Sequence, residues 1–158
     1  MLTLLSAALL SLSACSSGPD VAALQADVEA KVAAKDYAGA TAAADAALKL
    51  PEVSGTPTTA WRFESARLGA LANGGKGPDV KSSLERLSTP YAAQVTCALR
   101  LSLADKVRAA GDAPGYTELL DAGVKACPQE AAFTSKIEEL KTSADPAEVE
   151  RLKALGYL

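Results

Sequence analysis

The chain has 158 residues, 49% of them hydrophobic but only 4% aromatic, a formal net charge of −3 and no histidine. The acidic balance and the lack of any Lys/Arg block argue against a nucleic-acid partner, because affinity for phosphates needs a concentrated basic face. Without histidine the chain has no usual triad base, no common neutral-pH general base and no imidazole metal ligand, so a hydrolase is disfavoured. Ala and Leu carry most of the apolar content, Ala is the best helix former, and no alternating strand pattern occurs. The expectation is an all-α chain.

The apolar run Met1 to Leu12 passes through Ser13-Ala14 to Cys15 and then into the polar turn Ser16-Ser17-Gly18-Pro19-Asp20. At this length it cannot span a bilayer, which takes about 20 apolar residues, but it suits the apolar region of a signal peptide. Leu12-Ser13-Ala14-Cys15 resembles the lipobox of bacterial lipoproteins, with one departure: no Lys or Arg precedes the apolar run. The resemblance implies that residues 1–14 are a signal peptide and that Cys15 carries a diacylglycerol. Residues 15–20 would then be the lipidated N-terminus and a short linker, and 21–158 the folded domain. A membrane-anchored protein facing the periplasm follows, and Ser16 after the cysteine leans toward the outer membrane.

From Asp20 the apolar residues fall at helical spacing. Val21, Leu24, Val28 and Val32 form one face of a first helix, and Ala40 to Leu50 forms a second that Pro51 stops. The stretch Lys35-Asp36-Tyr37-Ala38-Gly39-Ala40, followed by Ala44, Ala47-Leu48 and Pro51, resembles the second half of a tetratricopeptide repeat. A Pro/Gly/Ser/Thr-rich connection then leads to a helix with Trp61, Leu68 and Leu71, the breaker Asn73 to Asp79, and a helix with Val80, Leu84 and Leu87. A long helix is expected from Tyr91 to Ala110, a turn at Gly111 to Gly115, and a helix from Tyr116 to Cys127. Pro51, Pro90 and Pro128 lie 39 and 38 positions apart, and Gly39, Gly75 and Gly111 lie 36 apart. Two markers at nearly one period imply about three antiparallel helix pairs stacked as a short tetratricopeptide-like solenoid; a plain helical bundle is the alternative. One or two capping helices should follow: Gln129 to Thr142, and a last helix with Asp145 as cap, Pro146 in its first turn and Glu148 at the capping-box position. The closing Leu152 to Leu158 resembles a tail found in bacterial repeat proteins and some sulfatases, and is too short to carry function.

Assigning Cys15 to lipid leaves Cys97 and Cys127, and exported proteins live where disulfides persist. In an antiparallel helix pair turning at Gly111–Gly115, mirror-related positions sit side by side, and 97 and 127 are mirror-related about 112. A Cys97–Cys127 disulfide is therefore expected, the alternative being two buried thiols acting as small hydrophobes.

Gly74-Gly75-Lys76-Gly77 lacks phosphate-loop spacing and reads as a turn. Glu138-Glu139 and Glu148/Glu150 read as solvated helix surface. Trp61-Arg62-Phe63 is the one aromatic cluster with a cation; Trp61 and Phe63 cannot share a helix face, which makes Trp61 and Arg62 candidate partner contacts. No catalytic, metal or cofactor site is expected. The chain reads as a lipid-anchored, non-enzymatic module for an unidentified envelope protein or peptide; the alternative is a helical carrier of an apolar ligand such as a lipid or envelope precursor.

Overall fold

A computed structural model describes residues 18–143 and 145–158; Cys15 and the expected signal segment lie outside the described residues. Among the described residues the chain is all-helical, with no strand. The helices are α1 (Val21–Ala33), α2 (Tyr37–Leu48), α3 (Pro51–Ser54), α4 (Pro57–Asn73), α5 (Gly77–Leu87), α6 (Cys97–Ala109), α7 (Ala113–Ala126), α8 (Ala131–Leu140) and α9 (Pro146–Ala154). They pack as pairs: α1 on α2, α4 on α5, and α6 on α7, with α8 and α9 both laid against α7.

The residues of α4 explain its central place. Its Phe63 and Ala70 enter a core shared with α1 and α2, whereas Leu68 and Leu71 enter a second core shared with α5, α6 and α7. The first core is built largely from small side chains. Ala40, Ala44 and Ala47 recur one helical turn apart on α2, and each is at most 1% exposed. Methyl-sized side chains let α2 and α4 approach closely, so burial comes from proximity more than from large side chains. The second core has the large ones: Leu84, Leu103, Tyr116, Leu120, Phe133 and Ile137 are all essentially excluded from water.

The links within the first three pairs are the same device. Each is three residues long, and its middle residue has positive φ: Lys35 (59°), Gly75 (65°) and Gly111 (89°). The next N–H folds back to a carbonyl five residues earlier: Asp36 to Lys31 (2.9 Å), Lys76 to Leu71 (3.0 Å) and Asp112 to Val107 (3.2 Å). This is the Schellman closure, which satisfies carbonyls at a helix end and favours glycine at the left-handed position. The equivalent turn positions are thus 35, 75 and 111, rather than the expected Gly39, Gly75 and Gly111. Gly39 lies inside α2, where its N–H donates to the Asp36 cap at 2.9 Å, as Gly115 N–H donates to Asp112 at 2.9 Å.

Lys76, the middle counterpart of Asp36 and Asp112, supplies no side-chain cap to α5. That duty passes to the neighbouring pair. The other Asp112 oxygen accepts the Gly77 N–H at 2.9 Å, so one carboxylate caps both α7 and α5. The two helix starts must touch for this to happen. A Cβ on Gly77 would lie 2.5 Å from the Gly115 Cα, a distance no side chain tolerates.

The disulfide joins Cys97 at the start of α6 to Cys127 at the end of α7, with Cα atoms 6.0 Å apart. The expected helix from Tyr91 begins later, at Cys97. Thr96 has extended backbone and its hydroxyl accepts the Leu99 N–H at 3.2 Å, so it starts the helix as a cap. Tyr91 and Val95 keep their inward positions from a run of turns, which is why their spacing imitates a helical face. At the other end, Gly156 has φ 82° and Tyr157 O–H donates to Asp121 at 3.0 Å, fastening the closing residues to α7.

Reducing the disulfide, or replacing Cys97 and Cys127 by Ser, should cost about 3 kcal/mol in urea unfolding, the scale set by closing a loop of this length. Lys35→Gly should stabilise the chain by up to about 1 kcal/mol, because the left-handed backbone at position 35 disfavours any residue with a Cβ; an unchanged unfolding midpoint would contradict this account of the first link.

Candidate interaction surface

Three helices from successive pairs, α1, α4 and α6, present side chains to one open groove of about 390 Å³. Val32 from α1 and Ala66, Gly69 and Ala70 from α4 form its apolar lining, and Asn73 and Lys106 stand among its polar residues. Gly69 is the telling residue. A Cβ built there meets nothing within 4 Å, so no packing in the fold requires the missing side chain. An isolated glycine inside a helix costs about 1 kcal/mol relative to Ala, a cost usually attached to close packing or to a contact outside the element. Here the local effect is to keep the groove open.

The candidate contacts Trp61 and Arg62 separate. Trp61 turns inward, packs on the second core and stacks tilted against Tyr91, ring centroids 5.2 Å apart. Phe63 is 1% exposed and belongs to the first core. Arg62 is exposed. By helical spacing it heads the strip that continues through Ala66, Gly69 and Asn73, placing it in line with the groove. Sequence reasoning missed Gly69, Asn73 and Lys106; the one signal for them was the mid-helix glycine.

Elsewhere several polar side chains pair with each other. Glu64, almost fully buried, receives both outer nitrogens of Arg86 at 2.8 Å, and this hydrogen bonding holds the guanidinium above its ordinary pKa. Glu148, expected on the solvated surface as a capping-box partner, is instead 2% exposed. Its carboxylate pairs with Arg108 at 2.9 Å and accepts from the Ser143 hydroxyl. Ser143 in turn takes the Asp145 N–H at 3.1 Å, the donor a capping-box glutamate would have accepted. Arg108 also lies over the Tyr116 ring, 4.9 Å from its centroid. Burial pushes the Tyr116 phenol up, against the pull of Lys136 and Arg108.

A larger cleft of about 560 Å³ lies between the first two links, where Lys35, Lys76, Asp36 and Asp79 alternate in sign. Cys97 and Cys127 are joined to each other and belong to no site. Among the described residues no three His, Cys, Asp or Glu side chains converge as a metal-binding set. No helix among them is long and apolar enough to cross a membrane.

Gly69→Leu should leave the fold intact and raise its stability by about 0.5–1 kcal/mol, since leucine is the better helix former and enters open space; a lowered melting temperature would show that the space is not open in solution. Comparison with known proteins finds no matching family model, no similar curated protein and no similar solved structure.

Proposed function

We propose that this chain is a lipid-anchored interaction module of a bacterial cell envelope, facing the periplasm and acting by binding an envelope protein or peptide rather than by catalysis. In this reading the helix pairs stack as tetratricopeptide-like units, with α8 and α9 covering the last. The recurring link at positions 35, 75 and 111 supports it, as does the succession in which α4 lies on α1 and α2, α6 on α4, and α7 on α5. The observation that carries the binding half is the groove across α1, α4 and α6, kept open by Gly69. The anchor half rests on Leu12-Ser13-Ala14-Cys15, outside the described residues. The Cys97–Cys127 disulfide supports an oxidising compartment, because such bonds are rare where glutathione keeps thiols reduced.

The anchor would hold the groove at a membrane and raise its effective concentration toward neighbours there. The partner segment should offer small apolar side chains to Ala66 and Gly69 and polar groups to Asn73 and Lys106.

One experiment tests both halves. Cells expressing the chain with a photo-crosslinking residue at Asn73 are grown with radioactive palmitate. The chain should take up label, and the Cys15→Ala form should not. Irradiation should give discrete adducts that Gly69→Leu abolishes. Equal label in both forms would overturn the anchor, and adducts indifferent to Gly69→Leu would overturn the groove.

A further inference from the structure

The chain has six arginines, and four are in ion pairs: Arg67 with Asp45, Arg86 with Glu64, Arg108 with Glu148 and Arg151 with Glu118. Arg62 is exposed. Arg100 is the exception, partly buried and without a carboxylate within ion-pair distance among the described residues. Among the described residues its side chain makes one hydrogen bond, from Nη2 to the Ser88 hydroxyl at 2.5 Å. The Ser88 hydroxyl donates its hydrogen bond to the Leu84 carbonyl, so its oxygen serves as an acceptor that holds the guanidinium in place. Burial pulls the Arg100 pKa below its ordinary value, and the nearby Glu85 charge, too far away to form an ion pair, offsets this only in part.

Arg100 lines a cleft of about 510 Å³ formed by α5, the turn after it, α6 and α7. This cleft shares no residue with the groove across α1, α4 and α6. Of its other charged residues, Lys125 is paired with Asp121 at 2.7 Å, and Lys81 leans on Glu118 at 3.7 Å. Glu85 contributes negative charge to the same wall. The disulfide braces the cleft from both sides: Arg100 is one turn beyond Cys97, and Ala126 directly precedes Cys127.

We infer that the Arg100 cleft is a recognition site for a single carboxylate group carried by a ligand or partner. The guanidinium fork matches a planar carboxylate with two parallel N–H···O bonds. A guanidinium with no carboxylate in contact has room for one directly bonded negative group. Glu85 and the Lys125-paired Asp121 would repel a dianion, so a monovalent carboxylate suits the cleft better than a phosphate.

The test uses the oxidised full chain and backbone and arginine side-chain NMR. Titration with acetate, with a blocked peptide holding one glutamate, and with a peptide ending in a free carboxylate separates small acids, side chains and chain termini as the source. At least one of the three should give saturable shifts at Arg100, Ser88, Lys125 and Ala126. R100Q should weaken that binding about tenfold or more, the scale of a lost charge-assisted pair, and Glu85→Gln should tighten it severalfold. Reduction of Cys97–Cys127 should also weaken it. Because R100Q removes the bond to Ser88, Glu85→Gln serves as the variant that leaves the fold untouched. Shifts absent with all three carboxylates, or unaffected by Glu85→Gln, would overturn the assignment. Tighter binding of inorganic phosphate than of any carboxylate would overturn its charge.

Discussion

The structure depends on how little large apolar side chain it has to bury. With 4% aromatic residues, the first core has alanines at four of its buried positions beside Val28, Val53 and Phe63, and each alanine contributes a small area at about 25 cal/mol per Å². Close approach of α2 to α4 compensates by density, since nearly every buried atom then has neighbours on all sides. Small side chains interlock weakly, however, and define the angle and register between helices poorly. Between α2 and α4 the pair Arg67–Asp45, at 2.5 Å, is a directional contact that carries that task, and the other helices have theirs. The disulfide sets the height of α6 against α7, Asp112 sets α5 against α7, and Glu148 sets α9 against α6.

The same economy separates the two candidate surfaces. The groove is open because small residues line it and nothing fills the space above Gly69. The cleft at Arg100 is marked by the opposite circumstance, a strongly interacting group with no carboxylate in contact, whereas the other partly buried arginines, Arg67 and Arg151, are each ion-paired. One surface is defined by shape and the other by charge. A chain that used both would hold a partner by an apolar segment and by an acid group at separate places.

Much of the architecture was legible because it rests on local rules. The apolar spacing of Val21–Val32 and of Val80–Leu87 marks α1 and α5 plainly, and the mirror relation of Cys97 and Cys127 about the Gly111 turn marks the disulfide. The misreadings arose where a tertiary contact uses a residue in a way that local pattern does not encode. Tyr91 and Val95 are inward-facing without being helical. Lys35 occupies a left-handed position that glycine holds in the next two links, so Gly39 looked like the pivot. Glu148 sits where a capping box would put it, yet Arg108, 40 positions earlier in the chain, takes its carboxylate inside the fold. Of the candidate contacts, only Arg62 stays outward; Tyr91 draws Trp61 in.

The doubled cap at Asp112 has a consequence for how the chain folds. The start of α5 borrows its hydrogen-bond acceptor from a residue 35 positions later, beyond the whole of α6. In an ideal linear array each unit completes itself and adds only a contact surface with the next. Here the middle unit is unfinished until the third has formed, because the Gly77 N–H has no other side-chain acceptor at its helix start. The two units therefore gain their last stabilisation in one step, and fraying of either exposes a defect in both. This ties two helix pairs into one cooperative block, whereas α2 of the first pair is capped by its own Asp36.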